Sequence, residues 1–275
     1  MSRNKKIGIF DSGYGGLTVF EAIRREMPQY DYVYLGDNAR APYGTRSFDI
    51  VYEYTLQAVK KLFELGADLV VLACNTASAK ALRNIQQNDL PKIDPNKRVL
   101  GVIRPSVEAI GKYTKSRQVG IFGTHGTVDS ESYPIEIGKL WDDVKVYQQA
   151  CPMWVSLVEN GEYNGDGADY FVKKYIDLLM EKSREIDVVI LACTHFPMLL
   201  PKIRKYMPDN VTLMGQGDLV ATSLKDYLKR HTEMEERLSL GGNVEFYTTE
   251  SVNKFITTAR VFFDGDLNVE HITLQ

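Results

Sequence analysis

Two cysteines end two nearly identical stretches of this sequence. The first stretch, "DLVVLAC", runs from Asp68 to Cys74, and the second, "DVVILAC", runs from Asp187 to Cys193. Each cysteine is followed by polar residues, Asn-Thr in one copy and Thr-His in the other. A thiolate can act as a base, and a protonated thiol can act as an acid. The repetition therefore predicts two acid–base groups that serve one site.

Two such groups on opposite sides of a small site suit the inversion of a carbon stereocentre. One thiolate removes a proton from one face, the opposing thiol adds a proton to the other, and the roles exchange in reverse. No metal or cofactor is required if the site stabilises the carbanionic transition state electrostatically. Three alternatives remain open: a metal site of Cys74, Cys193 and His195, a thiol redox pair, and inert buried cysteines. The spacings C-x2-C and H-x3-H, which favour a redox pair or a metal, do not occur.

Further polar candidates lie close to these cysteines in the predicted fold. "FDSGYGG" ends the first strand, so Asp11 and Ser12 should share a strand edge with the first cysteine. Asp11 could orient that thiol or relay its proton, or it could cap a turn or helix. His195 follows the second cysteine by two residues and is the counterpart of Asp11. Glu159 could set the charge of this histidine.

Two loops supply groups that suit an anionic ligand. "GTHGT" contributes the hydroxyls of Thr124 and Thr127, and "APYG" contributes Tyr43 and the amide of Gly44. The glycines of "DSGYGG" let the backbone approach a ligand or form a turn. Neither a Walker loop nor a G-x-G-x-x-G fingerprint is present, so no nucleotide cofactor is expected. The remaining cysteine, Cys151, has no matching partner and is predicted to be buried and structural.

The elements that must position these residues alternate between strands and helices. Aliphatic runs such as "LVVLAC" and "VVILAC" lack polar alternation, which is typical of central parallel strands that are covered on both faces. Helices of ten or more residues between the strands predict parallel α/β layers. Ligands of such folds bind at the carboxyl ends of the strands, where both cysteines are expected.

The pattern starts again in the second half of the chain. "GIF" begins at Gly8 and again at Gly120, and the cysteines follow 66 and 73 residues later, at 74 and 193. This repeat predicts two similar parallel-sheet α/β domains related by pseudo-twofold symmetry. The two thiols would then lie on opposite walls of the cleft between the domains.

Three segments give sharper tests of this fold prediction. The Pro- and Asn-rich "NDLPKIDPNKR" should be a connector. The helix in "DGADYFVKKYIDLLMEKSREI" should bury Tyr170, Tyr175, Ile176 and Leu179. The segment from "NVEFYTTE" to "NVEHITL" should form a strand pair or a strand–helix–strand unit.

Composition limits the class of protein and its partners. The 275 residues are 44% hydrophobic and 25% charged, as in soluble globular proteins. A net charge of −3 without a basic cluster argues against nucleic acid as a partner. No apolar run approaches the ~18 residues of a membrane span, and the apolar run near the N-terminus is too short for a secretory signal. We therefore expect a cytosolic protein with three free thiols and no membrane partner.

Six motifs together resemble the glutamate racemases of the cofactor-independent aspartate/glutamate racemase superfamily. In chain order they are "IGIFDSGYGGLTV", "LGDNARAPYGTRS", "VLACNTASA", "GTHGTVDS", "ACPMWVSLVENGE" and "LACTHFP", which span nearly the whole chain. The resemblance implies interconversion of L- and D-glutamate without cofactor or metal, and it implies a homodimer. It further implies supply of D-glutamate for peptidoglycan, and thus a role in cell wall biogenesis and cell shape.

The resemblance also implies domain bounds and roles. One domain would comprise residues 1–101 plus 216–275, and the other residues 102–215. Cys74 would act on D-glutamate and Cys193 on L-glutamate, with Asp11 and His195 as assistants and Glu159 as the partner of His195. The implied substrate-binding positions are Ser12, Pro42, Tyr43, Gly44, Asn75, Thr76, Thr124, Thr127 and Thr194. "GVIRPSVEA" departs from the expected Pro-Gly or Pro-Ala, but it includes no residue assigned to chemistry.

Two other functions stay open at this point. A sibling racemase could act on aspartate or another small acid, because discrimination by side-chain length is not visible in these motifs. A duplicated α/β cleft could also bind an anionic ligand without chemistry. Both cysteines and both candidate assistants are present, which argues against a pure binding module.

Overall fold

The computed structural model describes residues 3–275, so the first two residues of the predicted first domain lie outside the described residues. Its strands are β1 Lys6–Asp11, β2 Tyr32–Gly36, β3 Ala67–Leu72, β4 Arg98–Gly101, β5 Gln118–Gly123, β6 Lys145–Ala150, β7 Val188–Ala192, β8 Thr212–Met214, β9 Val244–Thr248 and β10 Val269–His271. Its α-helices are α1 Gly16–Glu26, α2 Phe48–Glu64, α3 Asn75–Lys80, α4 Leu82–Asn84, α5 Leu90–Ile93, α6 Ile103–Tyr113, α7 His125–Asp129, α8 Ser132–Leu140, α9 Pro152–Glu159, α10 Asp166–Lys182, α11 Leu200–Tyr206, α12 Gly217–Arg230, α13 Thr232–Glu235 and α14 Val252–Ala259. Short 3-10 turns cover Asn38–Arg40, Tyr43–Thr45, Glu162–Asn164 and Phe196–Leu199, and a π-helical segment covers Ile85–Asp89.

The strands form two parallel sheets with the same local order. The first sheet has the order β10-β9-β2-β1-β3-β4, and the second has the order β6-β5-β7-β8. Four consecutive strands therefore repeat one arrangement, β2-β1-β3-β4 and β6-β5-β7-β8. The prediction of two parallel-sheet α/β domains is confirmed. The domain boundaries at 101/102 and 215/216 stay a prediction.

The repeated "GIF" tripeptide has a packing role in both sheets. It lies in β1 and β5, the strands that pair with β3 and β7. A Cβ atom added to Gly8 would lie 3.1 Å from Val70 Cγ2, and one added to Gly120 would lie 2.9 Å from Val189 Cγ2. The glycine thus leaves room for an aliphatic side chain of the neighbouring strand. Burial of each such side chain stabilises the fold by about 1.5–3 kcal/mol.

Both cysteines lie just beyond the carboxyl end of a buried strand. All residues of β3 and β7 are buried. Cys74 follows β3 and caps α3, where its Sγ atom accepts the N–H of Ala77 at 3.4 Å. Cys193 follows β7 and precedes the turn Phe196–Leu199. Because parallel strands end at one edge of their sheet, this arrangement positions polar groups of several loops beside each thiol.

Local structure differs from the sequence-based prediction in several places. The predicted connector is partly helical, since Ile85–Asp89 and α5 continue from α4. Tyr170 is 64% exposed, although Tyr175, Ile176 and Leu179 are buried as predicted. The buried face of α10 runs through Ala168 and Val172, and Tyr170 lies midway between them on the opposite side of the helix. The C-terminal segment is a strand–helix–strand unit in which β9 and β10 pair in parallel.

Helices α8, α9 and α11 were missing from the prediction. All three belong to the second sheet's half of the chain, where α8 and α9 flank β6. No helix among residues 3–275 is both long enough and apolar enough to span a membrane.

Candidate active site

A cavity of about 190 Å³ lies between loops at the carboxyl ends of both sheets. It is smaller than the ~300–1,000 Å³ of pockets for drug-sized ligands, so it suits a small molecule. The predicted site residues that line it are Ser12, Pro42, Tyr43, Gly44, Cys74, Asn75, Thr76, Thr124, Glu159, Cys193, Thr194 and His195. Asp11 and Thr127 are buried behind this lining. Residues from both halves of the chain thus meet at one site.

The thiol of Cys74 is held among hydrogen-bonding groups of the first sheet. Its Sγ atom lies 3.2 Å from Ser12 Oγ and accepts the N–H of Ala77. Burial, and secondarily the charge of Asp11, raises the pKa of Cys74 to about 12, although these two hydrogen bonds lower it. Cys74 therefore carries its proton at neutral pH in this structure, which is the form that acts as an acid.

Asp11 does not contact Cys74 in the way the sequence suggested. Its Oδ2 atom accepts the N–H of Gly13 at 3.0 Å, and the hydrogen bonds of the described residues include none between Asp11 and Cys74. Burial raises the pKa of Asp11, while the nearby charge of His195 lowers it. The side chain that hydrogen-bonds to the sulfur is that of Ser12, which was predicted only to bind substrate. The assistant role of Asp11 stays a prediction.

Cys193 lies beside a buried histidine that is paired with a carboxylate. Its Sγ atom is 3.9 Å from His195 Nδ1, and His195 Nε2 is 2.9 Å from Glu159 Oε1. Burial lowers the pKa of His195, but the hydrogen bonds to Cys193 and Glu159 and their charges together raise it to about 10. His195 is therefore an imidazolium at neutral pH, with its positive charge next to Cys193. The structure brings together the three residues that the sequence grouped.

The glycine turn after β1 makes this contact between the two halves possible. A Cβ atom on Gly15 would lie 2.5 Å from Thr194 Oγ1 and 2.7 Å from His195 Nδ1. The turn thus packs directly on the residues that follow Cys193. The sequence suggested that these glycines let the backbone approach a ligand or form a turn; at Gly15 the close neighbour is the opposing loop.

We expect the substitution Gly15→Ala to destabilise the protein by about 1–3 kcal/mol, because the added methyl group has no space. Urea denaturation would measure the free energy of unfolding. Gly138→Ala is the matched control, since the residue lies within α8 and, outside its own stretch of helix, no described atom of the protein lies within 4 Å of its added Cβ. Alanine there should stabilise the helix by about 0.5–1 kcal/mol. Equal effects of the two substitutions would contradict the close contact.

Hydroxyl and amide groups from both halves form the polar wall of the cavity. Thr76 Oγ1 lies 2.9 Å from Thr124 Oγ1, and Thr127 Oγ1 lies behind them at 3.2 Å from Thr124 Oγ1. No lysine or arginine is among the lining residues of the described chain. Within residues 3–275, no group of three or more His, Cys, Asp or Glu side chains could hold a metal ion. Apart from the imidazolium of His195, an anionic ligand would thus meet neutral hydrogen-bond donors here.

The "APYG" loop is anchored by a buried carboxylate that the sequence did not single out. Tyr43 donates its hydroxyl to Asp37 Oδ2, which also accepts from Arg40 Nε at 2.7 Å. Burial and the charge of Asp37 raise the pKa of Tyr43. Because the Tyr43 hydroxyl is already donated to Asp37, the group of this loop left to bind a carboxylate is the Gly44 amide.

One wall of the cavity was not predicted. Helix α9 and the residue after it contribute Pro152, Val155, Ser156 and Asn160 in addition to Glu159. Residues three and four positions apart share one face of a helix, so the position of Glu159 could have identified Val155 and Ser156. The missed helix α9 explains the omission. His125 at the start of α7 also lines the cavity.

Comparisons with known proteins point to one family. The family described as Asp/Glu/Hydantoin racemase matches residues 17–219. Glutamate racemase of Ruegeria sp. (strain TM1040) is 38% identical over 96% of this chain and 98% of its own length. Glutamate racemase of Listeria monocytogenes serotype 4a (strain HCC23) is 39% identical over 98% of both chains.

Solved structures agree with these sequence matches. Glutamate racemase isoform RacE1 from Bacillus anthracis superimposes with a TM-score of 0.90 at 33% identity and covers 99% of both chains. Glutamate racemase from Francisella tularensis, solved in complex with D-glutamate, superimposes with a TM-score of 0.88 at 28% identity. That comparison covers 99% of this chain and 98% of the other.

Proposed function

Because the chain belongs to the Asp/Glu/Hydantoin racemase family, an isomerase family, we propose that it interconverts L- and D-glutamate by two-cysteine proton transfer at the α-carbon. One observation carries this proposal. Cys74 and Cys193 follow equivalent strands of the two sheets and line the same small cavity. Relatives named glutamate racemases support glutamate as the substrate.

In the L-to-D direction, Cys193 is the base and Cys74 is the acid. The Cys193 thiolate takes the α-proton of L-glutamate, and the electron pair stays on the α-carbon. The Cys74 thiol then gives its proton to the opposite face, so Cys193 ends protonated and Cys74 ends as a thiolate. The protonated state of Cys74 and the imidazolium of His195 beside Cys193 support this direction.

In the D-to-L direction the two thiols exchange roles. Cys74 must then act as the thiolate, although burial disfavours its charged form. Ser12 and the Ala77 N–H are the groups beside its sulfur that can stabilise the negative charge. A carbanionic transition state would be stabilised by fixed donors around the cavity.

Neutral donors would hold the two carboxylates of the substrate. We assign this binding to Ser12, Pro42, Tyr43, Gly44, Asn75, Thr76, Thr124, Thr127 and Thr194. Thr127 would act through Thr124, Tyr43 through the backbone of its loop, and Pro42, which has no N–H to donate, by contact alone. A sibling racemase that acts on aspartate is the alternative function. The same donors would bind the carboxylates of aspartate and of glutamate. Selection between the two acids by side-chain length would therefore depend on the cavity walls.

The family resemblance also suggests a biological setting for this reaction. We propose that the enzyme works in the cytoplasm as a homodimer and supplies D-glutamate for peptidoglycan. We also propose domains of residues 1–101 plus 216–275 and of residues 102–215. Complementation of a D-glutamate-requiring bacterial strain would test the role, and light scattering of the purified protein would test the oligomeric state.

Incubation of the purified protein with L-glutamate, and separately with D-glutamate, in D2O tests the reaction itself. We expect loss of optical activity, with deuterium entering the α-position of the product, without added cofactor. Circular dichroism and NMR of the α-proton measure the two events. Exchange with aspartate but not with glutamate would favour the sibling racemase. If a folded, reduced protein exchanges the α-proton of none of these acids, racemase activity is contradicted. The remaining function would then be a binding module without chemistry.

A further inference from the structure

A buried polar cluster lies behind the cavity, where the chain crosses between the two sheets. It consists of Asn75, Ser106, Tyr133 and Gln216, which we call the Gln216 cluster; all four are buried. They come from α3, α6, α8 and the segment between β8 and α12. Ser106 lies in "GVIRPSVEA", the stretch that departs from the pattern of the resembled family. Gln216 itself does not line the cavity.

A single backbone carbonyl sets the direction of hydrogen bonding in this cluster. Ser106 Oγ donates its only proton to the carbonyl oxygen of Val102 at 3.0 Å. Its oxygen must therefore accept from Gln216, whose Nε2 lies 2.8 Å away. This orients the amide of Gln216 so that Oε1, which can only accept, points toward Asn75.

The orientation of the Gln216 amide in turn fixes the orientation of the Asn75 amide. Asn75 Nδ2 donates to Gln216 Oε1 at 2.6 Å, and Asn75 Oδ1 accepts the hydroxyl of Tyr133 at 2.7 Å. Tyr133 in turn accepts from Gln216 Nε2 at 2.8 Å, so the cluster closes on itself. The amide of Asn75 cannot turn over without breaking these bonds. Among residues 3–275, no group accepts the second Nδ2 hydrogen of Asn75, a residue that lines the cavity next to Cys74.

We propose that Gln216 is a positioning residue that fixes the side-chain amide of Asn75 as a hydrogen-bond donor to a carboxylate of the substrate. This inference rests on the proposed racemase function. Gln216 touches no reacting atom in this arrangement and acts only through Asn75. Because the donor serves substrate and transition state alike, its loss should weaken binding more than the chemical step.

The test compares Gln216→Met with wild-type protein and with a matched buried control. Methionine keeps the length of the side chain but removes both amide groups. We expect KM for L-glutamate to rise about tenfold, the effect of one hydrogen bond to a charged group, while kcat changes less than about threefold. Thr55→Val is the control, because it removes a buried hydroxyl that donates to Val51 O within α2, on a residue that does not line the cavity. It should lower the melting temperature without changing KM.

Two further variants keep the test decisive if Gln216→Met does not fold. Tyr133→Phe removes only the hydroxyl between Gln216 and Asn75, and it should raise KM in the same way by a smaller factor. Asn75→Ala should raise KM, and adding Gln216→Met to it should cause no further rise, since Gln216 acts through Asn75.

Separate outcomes overturn this inference and the proposed function. Suppose that the wild-type protein racemises glutamate, but Gln216→Met and Tyr133→Phe have the same KM as Thr55→Val. This result overturns the positioning role alone. Additive KM effects of Gln216→Met and Asn75→Ala also overturn it, because they would place the action of Gln216 elsewhere. Wild-type protein that exchanges neither enantiomer overturns the racemase proposal and this inference with it.

Discussion

Cys74→Ser and Cys193→Ser are each expected to reduce racemisation of glutamate by about 10²- to 10⁴-fold, the range of a lost acid–base group. Both cysteines line one cavity, and each follows the equivalent strand of its sheet. A serine hydroxyl is too weak an acid to replace a thiol in either role. Purified variants would be assayed with both enantiomers by circular dichroism.

The two variants should differ in the face of the α-carbon at which they still exchange the α-proton. In Cys74→Ser, Cys193 can still remove the α-proton of L-glutamate and return deuterium to the same face. L-glutamate should then exchange in D2O without inversion, while D-glutamate stays unlabelled. Cys193→Ser should show the opposite pattern. NMR of the α-proton and chiral chromatography would measure exchange and inversion separately.

Cys151→Ala is the matched control for these variants. Cys151 is buried, its Sγ atom lies 3.5 Å from Gln149 O, and it is not among the residues that line the cavity. Its removal should lower stability and leave racemisation unchanged. If one of the serine variants kept wild-type racemisation, a single base would serve both faces, and the two-cysteine mechanism would be wrong.

The sequence predicted those features that depend on strand pattern and chain order. A short aliphatic run without polar alternation, set between helical segments, is typical of a buried parallel strand, and the residue that follows it is then expected at the carboxyl edge of the sheet. That argument located Cys74 and Cys193 without any knowledge of their contacts. The shared "GIF" glycines supported the repeat, and the structure explains them by the tight packing of Gly8 and Gly120 against the neighbouring strand.

Contacts between distant segments were beyond this kind of argument. Asp11 was expected beside Cys74 because both end neighbouring strands, and its charge does act on that thiol, but the side chain within hydrogen-bond distance of the sulfur is that of the next residue, Ser12. Strand order predicts which loops meet, but side-chain direction within a loop depends on its turns. Asp37 behind Tyr43 was missed for the same reason.

Gln216 shows a further limit of sequence reasoning. It lies some 140 residues from Asn75 in the chain. Their contact depends on the path of both chain segments that connect the two sheets. The unusual Ser106 is visible in "GVIRPSVEA", but no residue type in that stretch by itself predicts a role in the chemistry. Its hydrogen bond to Gln216 connects it indirectly to a cavity residue.

His195→Gln is expected to lower turnover of L-glutamate by about 10²- to 10³-fold, because it removes the positive charge 3.9 Å from Cys193 Sγ. The control is His271→Gln, since His271 is exposed on β10 and far from the cavity in the sheet order. That variant should keep its activity. If His195→Gln kept wild-type turnover, the histidine would have only a structural role.

The charge of His195 can be measured without substrate. Nitrogen-15 NMR of histidine-labelled protein, assigned with the His195→Gln variant, should show this ring titrating near its pKa of about 10. Glu159→Gln should lower the pKa by about 1–3 pH units, since it removes the charge and strong acceptor 2.9 Å from Nε2. A wild-type pKa near the ordinary ~6.5 would contradict the imidazolium.

The same pKa fixes the direction of the pH dependence. A folded-state pKa above the unfolded value of ~6.5 means that protonated His195 stabilises the fold fully below about pH 6.5. This stabilisation is lost as pH rises through about 10, and turnover that needs the imidazolium is lost over the same range. In Glu159→Gln both losses should move to lower pH. If the alkaline loss of turnover stayed at the same pH in that variant, it would arise from another group, such as the substrate's amine.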